Sequence, residues 1–239
     1  MFMVDSIGLN RILLIKKVVE LNNKDMSALQ YEDLHQQVYR ILKQMILTGE
    51  LAPGIKLRQE ELAEKLGVSR TPLMKAFSKL EKEMLIDMVP RRGACVHKCS
   101  KQELLDYIDI RMRLEPLGAR NAAKNHSPEG LETFRLRLKK YEEAVSKGDQ
   151  SLIKEADYWF HMDIVDLSSN KVLSQIISSF NIVLISNQRG LLKDPILSLN
   201  EHKSIFRAIE SRDADAAEAA MTLHMTGIKA RIESIDSII

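Results

Sequence analysis

The order of periodic patterns in residues 31–96 is the feature that most constrains the fold of this chain. A helical stripe ends at Gly49, and the segment "QEELAEKLG" predicts a short second helix that Gly67 stops. Ser69 suits the N-cap of a third helix, since Pro72 then falls in the first turn, where a missing N–H does no harm. The segments "LIDMV" and "ACVHK" predict two short strands around "PRRG".

Helix, helix, tight turn, helix and hairpin is the order of a winged helix-turn-helix, whose third helix enters the major groove of DNA by its N-terminal residues. Arg70, the second residue of the predicted third helix, carries a guanidinium suited to guanine O6 and N7, with a phosphate as the alternative. Ser69, Thr71 and the helix N-terminus suit phosphate oxygens. On a generic helix Arg70 would instead be a solvent-exposed or salt-bridged side chain.

The tip of the predicted hairpin carries two arginines, Arg91 and Arg92, beside Gly93. A glycine at this position would let the backbone enter a narrow minor groove, with both guanidinium groups next to it. The hairpin therefore predicts a DNA-binding wing, and the alternative for the two arginines is an ordinary solvated turn.

Composition and charge fit a mainly helical protein with a mildly basic N-terminal half. Hydrophobic residues make up 45% and charged residues 28%, which is ordinary for a globular protein, and the abundance of Leu, Ile, Met, Ala, Glu and Lys favours helices. Residues 31–98 carry 12 Lys and Arg against 9 Asp and Glu (+3), whereas residues 101–239 carry 19 against 21 (−2). Two cysteines fit a reducing cytoplasm, and no apolar run approaches the length of a membrane span.

The N-terminal residues 1–30 have two interpretations. The run "ILLI" at 12–15 is too short for a signal peptide, and no small-residue cleavage site follows it. Residues 7–21 suit an amphipathic helical extension, while the other interpretation is that translation starts at Met26.

After residue 102 the pattern is helical to the end of the chain and shows no strand-like alternation. We therefore expect a mainly α fold: an N-terminal extension over residues 1–30, helical or disordered, then a winged helix-turn-helix with a small β-hairpin wing over residues 31–98. An all-α bundle of six or seven helices over residues 102–239 completes the prediction.

Three of the predicted helices in this bundle place polar side chains among inward-facing residues. Asp157 and His161 are spaced i,i+4 on one helical face. His202 and His224 each have the spacing of the apolar residues around them. One carboxylate and three imidazoles would suit Zn²⁺, Ni²⁺, Mn²⁺ or Fe²⁺, with positions left for water or a bound acid. The alternative is that each histidine is a hydrogen-bonded residue of the core.

A second group, Cys95, His97 and Cys99, alternates along a predicted strand and could share one face. Such a group could bind metal or sense oxidation, but it lacks a fourth ligand. We interpret Cys95 instead as small apolar packing.

Residues 31–98 resemble the DNA-binding domain of the GntR family of bacterial transcription regulators in "GELAPGIKLRQEELAEKLGVSRTP", "LEKE" and "PRRGACV". The family usually has an Arg where this chain has Met74, so one expected DNA contact per half-site is missing, and it usually has a Gly where this chain has Met84. Lys75 could partly replace the missing Arg through a phosphate. The predicted DNA-contacting residues are Arg58, Ser69, Arg70, Thr71, Lys75, Arg91, Arg92 and Gly93.

Residues 102–235 resemble the FCD effector domain of the FadR branch of this family in "RMRLEPLGA", "DYWFH", "EHKSIFRAIESRD" and "AMTLHM". The resemblance implies that Asp157, His161, His202 and His224 bind a divalent metal, with zinc as first choice and nickel, manganese or iron as alternatives. It also implies a small carboxylate effector rather than an acyl-CoA. Arg111 is a candidate partner for that carboxylate or an ion-pair partner of Glu115, and Arg189 is a further candidate.

The sequence therefore predicts a cytoplasmic, homodimeric transcription regulator, with repression as the expected sign, and no catalytic residues. It would bind a pseudo-palindromic double-stranded DNA operator, and a small organic acid would shift its operator affinity. The alternatives are a metal-dependent enzyme, a direct metal sensor that uses the same residues, and a regulator that contains no metal.

Overall fold

The N-terminal part of the computed structural model is a winged helix-turn-helix, which confirms the predicted fold. The structure describes residues 33–89, 93–179, 183, 185 and 193–234, so the extension predicted for residues 1–30 lies outside the described residues. The elements of this part follow in the order α1 (Leu34–Leu47), β1 (Lys56–Leu57), α2 (Gln59–Leu66), α3 (Arg70–Lys82), β2 (Ile86–Val89) and β3 (Gly93–Val96).

The three strands form an antiparallel sheet in the order β1–β3–β2. Strands β2 and β3 form the predicted hairpin, with Ile86 opposite Val96. Strand β1 was not predicted from the sequence, because a run of two residues is too short to show the alternation of apolar and polar residues that indicates a strand. It pairs Leu57 with Ala94 and so attaches the segment before α2 to the wing.

One hydrophobic core holds these elements together. The apolar faces of the helices supply fully buried side chains to it, among them Leu42, Leu73, Phe77 and Leu80. Complete burial of each such side chain contributes about 1.5–3 kcal/mol to folding. Met74, which stands where the family usually has an Arg, is partly buried against this core, so the departure adds an apolar contact.

The remaining described chain is helical, in agreement with the predicted bundle. Ser100 and Glu103 form a capping box at the first of these helices, and Asp149, Asp194 and Asp213 accept backbone N–H groups where three others begin. None of the described helices is long and apolar enough to cross a membrane. The six helices described here are α4 (Lys101–Asn125), α5 (Pro128–Lys147), α6 (Gln150–Leu167), α7 (Lys171–Ser179), α8 (Pro195–Glu210) and α9 (Ala214–Glu233).

The core of the helical domain forms around α4 and α9, which run along each other; α6 and α8 pack against this pair, and α5 packs on α6 and α8. Phe134 of α5 contacts Phe160 of α6 and Phe206 of α8, with ring centroids 5.1 and 5.3 Å apart. These rings fix the spacing of the three helices, and with it the positions of the polar side chains that the same helices carry.

Helix α6 lies between the helical core and the winged domain. Gln44 Nε2 of α1 donates to Glu155 Oε1 of α6 at 2.8 Å, and Ser151 Oγ of α6 donates to the Thr48 carbonyl at 3.1 Å. Tyr158 of α6 packs against the core of the winged domain. The helix that carries two of the predicted metal ligands therefore also contacts the DNA-binding part of the chain.

Met84 occupies the left-handed backbone position that ends α3. Its φ is 56°, and the N–H groups of Met84 and Leu85 donate to the carbonyls of Glu81 and Leu80, both at 2.9 Å. This is a Schellman arrangement, in which glycine is usual because an L side chain in the left-handed region costs about 1–2 kcal/mol.

We expect Met84→Gly to raise the free energy of unfolding by about 1 kcal/mol, because the side chain is 41% exposed and little packing is lost. Denaturant unfolding measures the change. Gly67→Ala is the matched opposite, since Gly67 ends α2 at a φ of 65° with nothing within 4 Å of an added Cβ. That variant should lose about the same amount. A Met84→Gly protein no more stable than wild type would contradict the prediction.

Candidate metal centre and DNA-binding surface

Three helices bring the predicted metal ligands together inside the helical domain. Asp157 and His161 come from α6, His202 from α8 and His224 from α9, and all four side chains are buried. The candidate ligand atoms of the three histidines lie within 4.8 Å of one another. The i,i+4 spacing on α6 and the apolar phasing on α8 and α9 are sufficient to aim these side chains at one point.

Ring nitrogens of the three histidines converge. His202 Nε2 lies 3.2 Å from His224 Nε2 and 3.8 Å from Asp157 Oδ1. The buried His161 Nε2 has no hydrogen-bond partner among the described residues. A buried nitrogen without a partner is unfavourable, and a metal ion that accepts its lone pair removes that cost.

Two glutamates orient two of the imidazoles from outside. His161 Nδ1 lies 2.5 Å from Glu115 Oε2, and His224 Nδ1 lies 2.6 Å from Glu201 Oε2. With the proton on Nδ1, each ring donates to its carboxylate and turns the lone pair of Nε2 toward the centre. A carboxylate on the outer nitrogen of a ligating histidine is the usual support of a metal site.

The two other side chains are held by aromatic residues. Tyr141 Oη donates to Asp157 Oδ1 at 3.3 Å. The Phe160 ring lies flat on the His202 ring, with centroids 3.8 Å apart and an interplanar angle of 7°. These contacts restrict the rotation of both candidate ligands.

The pKa shifts of His202 and His224 favour the neutral form of these two imidazoles. Burial lowers the pKa of His202 well below its ordinary value, and the nearby His224 and His161 act in the same direction. Burial also lowers the pKa of His224, although its hydrogen bond to Glu201 opposes this. Neutral imidazoles are the form that coordinates metal.

The outer carboxylates are held in their charged form. Burial raises the pKa of Glu115, but the charge of Arg111 and the contacts with His161 outweigh burial and lower it overall. Burial likewise raises the pKa of Glu201, and hydrogen bonds from His224 and Lys193 lower it further than burial raises it. Neutral imidazole ligands with carboxylates behind them suit a divalent ion such as zinc, nickel, manganese or iron.

Arg111 is placed as an ion-pair partner. Its Nε donates to Glu115 Oε1 at 2.5 Å, and both side chains are 1% exposed. The ion pair between Arg111 and Glu115, which the sequence offered as one of two alternatives, is therefore present. A contact between Arg111 and an effector stays a prediction. Arg189, the second candidate, lies outside the described residues.

The group Cys95, His97 and Cys99 forms no metal-binding cluster among the described residues. His97 Nδ1 lies 2.9 Å from Asp87 Oδ1 of the neighbouring strand, and Cys99 is buried in the core. Cys95 is half-buried, with its Sγ 3.7 Å from the Asp87 carbonyl, which agrees with a packing role.

The predicted DNA-contacting residues in and before α3 are exposed. Arg70 is the first residue of α3, and its guanidinium pairs with Glu60 on the surface. Arg58 pairs with Glu61 in the same way, at 2.7 Å. Such exposed pairs contribute little to stability and can be exchanged for other partners at little cost.

Three further predicted contacts lie on the same surface. Ser69 occupies the N-cap position of α3, as expected, but its side chain makes no capping hydrogen bond. Thr71 and Lys75 are exposed on α3.

Only part of the predicted wing lies within the described residues. Gly93, which begins β3, has a φ of 86°, a value that favours glycine over residues with a side chain. Arg91 and Arg92 lie outside the described residues, so their contact with a minor groove stays a prediction.

A winged helix-turn-helix joined to an all-helical domain defines a class, the transcription regulators with separate DNA-binding and effector-binding domains. Comparison with protein families agrees: "Bacterial regulatory proteins, gntR family" matches residues 34–96, and "FCD domain" matches residues 106–227. This chain belongs to the GntR family of bacterial regulatory proteins. The family and the relatives are transcription regulators rather than enzymes.

The curated proteins that this chain resembles are transcription regulators, and the similarity covers most of their length. The HTH-type transcriptional repressor RspR of Escherichia coli K12 is 29% identical over 208 residues, which cover 85% of this chain and 91% of RspR. The HTH-type transcriptional regulator LutR of Bacillus subtilis is 28% identical over 209 residues, which cover 77% of this chain and 94% of LutR. Among solved structures, E. coli McbR/YncC has a TM-score of 0.73 at 24% identity, covers 84% of this chain and 97% of its own, and supports the fold.

Proposed function

We propose that this regulator binds one divalent metal ion through Asp157, His161, His202 and His224, and that a small carboxylate completes the metal centre as the effector. The observation that carries the proposal is the convergence of ring nitrogens from three histidines, two of which are supported by glutamates from outside. The metal would supply a positive charge with free coordination positions at the centre of the helical domain.

Formal charge around the centre favours an anionic effector. Three carboxylates, those of Asp157, Glu115 and Glu201, face two cations, Arg111 and Lys193, which leaves a formal charge of −1 when the imidazoles are neutral. A divalent ion changes this to +1. An effector with one negative charge then restores neutrality in a buried site, where an unbalanced charge is costly.

The effector would act on DNA binding through the helix that joins the two parts. Asp157 and His161 lie on α6, and the same helix contacts α1 of the winged domain through the Glu155–Gln44 hydrogen bond. A shift of α6 on effector binding therefore changes the position of the winged domain. A carboxylate that favours one arrangement over another shifts operator affinity by its differential binding.

An experiment with selected operator DNA tests the proposal. After selection of the operator from a random pool, its Kd is measured for metal-loaded and chelator-treated protein with short mono- and dicarboxylic acids. We expect one acid to change the operator Kd by about 5- to 150-fold, and only in the metal-loaded protein. A response to metal without any acid would indicate a direct metal sensor, and turnover of an acid would indicate an enzyme. An acid response that persists without metal would indicate a pocket that contains no metal.

Repression, a homodimer and a cytoplasmic location complete the proposal. RspR is named a repressor, and so is the probable D-xylose utilization operon repressor of Paenarthrobacter nicotinovorans, which is 28% identical over 191 residues. Two copies would place two α3 helices on successive major-groove faces of a pseudo-palindromic operator.

Exposed apolar side chains on α4 and α7 suggest where the two copies would meet. Ile110 and Leu117 are 45% and 41% exposed on α4, and Val172 and Ile176 are 67% and 38% exposed on α7. Helix α7 contacts α4 at Gly118, where a Cβ would lie 3.4 Å from a side-chain carbon of Leu173. A second copy would remove these surfaces from water, at about 25 cal/mol per Å² of apolar area.

We expect Val172→Asp/Ile176→Asp to weaken dimerisation at least about 100-fold, since each copy loses two apolar contacts and buries two charges instead. Sedimentation velocity over a range of concentrations measures the dimer dissociation constant. Leu136→Asp is the matched control, because Leu136 is 51% exposed on α5. A double variant that stays as dimeric as wild type would place the interface elsewhere.

A further inference from the structure

Lys193 is a nearly buried lysine just before α8. Its Nζ donates to both oxygens of Glu201, at 2.8 and 2.7 Å, and to the His224 carbonyl at 3.1 Å. The side chain is 9% exposed. The three hydrogens of the ammonium are thus matched by three protein acceptors, which is what a buried charge needs.

Glu201 connects this ammonium to a candidate metal ligand. Its Oε2 accepts from Lys193 Nζ at 2.7 Å and lies 2.6 Å from His224 Nδ1. With the proton on Nδ1, the lone pair of His224 Nε2 faces His202 Nε2, 3.2 Å away. Lys193 therefore fixes the carboxylate that fixes the orientation and the tautomer of His224.

Gly227 leaves the room that the ammonium occupies. It lies three residues after His224 in the interior of α9, where alanine would be the better helix former. A Cβ at this position would lie 2.8 Å from Lys193 Cε and closer still to Nζ. Because Glu201 and the His224 carbonyl hold the ammonium, it cannot move aside without losing these hydrogen bonds.

We propose that Lys193, Glu201 and Gly227 are positioning residues of the metal centre, which hold His224 with its Nε2 lone pair toward the ion. The inference rests on the proposed metal-binding function. Glu115 and Arg111 form the corresponding pair behind His161 on the other side of the centre. Lys193 acts through Glu201 and does not itself touch the metal.

Two single variants and their combination test this assignment in the full-length protein. Lys193→Met keeps most of the stem and removes the charge, and Gly227→Ala displaces the ammonium while improving helix propensity. We expect each variant to bind Zn²⁺ about 10- to 100-fold more weakly in competition with a chromophoric chelator. We expect the double variant to bind Zn²⁺ no more weakly than Lys193→Met alone. In that variant the ammonium is already absent, so the methyl group that Gly227→Ala adds cannot break its hydrogen bonds to Glu201 a second time.

Two controls separate positioning from general damage. Gly118→Ala is a glycine replacement inside α4 whose added Cβ would meet no atom closer than 3.4 Å, and Lys229→Met removes a surface ion pair with Asp109. Both should bind Zn²⁺ like wild type. Unchanged affinity in Lys193→Met or Gly227→Ala overturns the proposal, and so does full additivity of the two changes.

A second measurement keeps the inference distinct from the metal proposal. Long-range ¹H–¹⁵N NMR of metal-free protein with ¹⁵N-labelled histidine reports the tautomer of each neutral ring. We expect the Nδ1–H form of His224 in wild type and a mixture of tautomers in Lys193→Met and Gly227→Ala. If wild type bound no metal but showed this change, the metal proposal would fail and the positioning of His224 would stand. The same tautomer in all variants would overturn the positioning role.

Discussion

Wild-type protein purified without chelator or added metal is expected to hold about one divalent ion per chain, and a His161→Ala/His224→Ala variant is expected to hold none. Each of these histidines carries a glutamate on Nδ1, at 2.5 and 2.6 Å, and so presents Nε2 to the centre. The variant removes both supported ligands at once and leaves only Asp157 and His202.

The expected loss of metal affinity is large. Four-ligand zinc sites in small domains bind with about 10–16 kcal/mol, so removal of two ligands should weaken binding by at least about 1,000-fold. Elemental analysis of the two proteins at equal concentration measures the difference directly. Thermal unfolding gives a second readout, because a bound ion at about 1,000 times its Kd stabilises the folded state by about 4 kcal/mol.

Folding of the variant needs its own control, because two buried glutamates lose their imidazole partners. His161→Gln/His224→Gln keeps a polar group beside each carboxylate and should fold where the alanine variant does not. His126→Gln is the matched histidine control, since His126 is 6% exposed in the same domain and both its ring nitrogens lack hydrogen-bond partners among the described residues. It should keep the metal.

The outcomes are distinct. Metal in wild type and in the His126 variant, but in neither double variant, supports the four-ligand centre. No metal in wild type after incubation with zinc, nickel, manganese and iron, together with an unchanged unfolding temperature, would make the three histidines residues of the core or of a pocket without metal.

Local sequence signals predict the elements of this fold well, because they have local physical causes. The winged domain follows from apolar periodicity, from Gly67 and Gly49 at helix ends and from Ser69 before α3. The inward direction of His202 and His224 follows in the same way, since their apolar neighbours on the same helices show which face is buried. The observed backbone also shows why glycine is usual where this chain has Met84, because the residue at this position adopts the left-handed conformation.

Contacts between distant residues leave weaker signals in the sequence. Strand β1 exists only because β3 pairs with it, and two residues carry no period of their own. Glu115 is visible as an i,i+4 partner of Arg111, but its hydrogen bond to His161 crosses 46 positions of the chain. Nothing in the sequence indicates that Lys193 would lie over Gly227.

Replacement of Arg70 by alanine is expected to cost about 1–3 kcal/mol per half-site in operator binding, and twice that for a dimer on both half-sites. Arg70 is the first residue of α3 and its side chain is 65% exposed, so it is free to approach the bases at the N-terminal end of the helix. Its surface ion pair with Glu60 contributes at most about 1 kcal/mol, so the free energy of unfolding should change little.

Matched variants separate base recognition from general attraction to DNA. Arg70→Lys keeps the charge but loses the two-pronged geometry that fits guanine O6 and N7, and should lose most of the same specificity. Lys75→Ala should instead weaken specific and non-specific binding about equally and reduce the salt dependence, as expected for a phosphate contact. Glu60→Gln should bind the operator slightly more tightly, because Arg70 then does not have to break its ion pair with Glu60 before it contacts DNA.

The ratio of operator affinity to affinity for unrelated DNA, measured by fluorescence anisotropy at one fixed salt concentration, decides the role of Arg70. A large fall of this ratio for Arg70→Ala and Arg70→Lys, with unchanged unfolding, identifies a base contact. An equal fall on both DNAs would make Arg70 a phosphate contact, the other role that its position allows. Wild-type affinity for both DNAs would reduce it to the solvent-exposed partner of Glu60 and move recognition elsewhere on the winged domain.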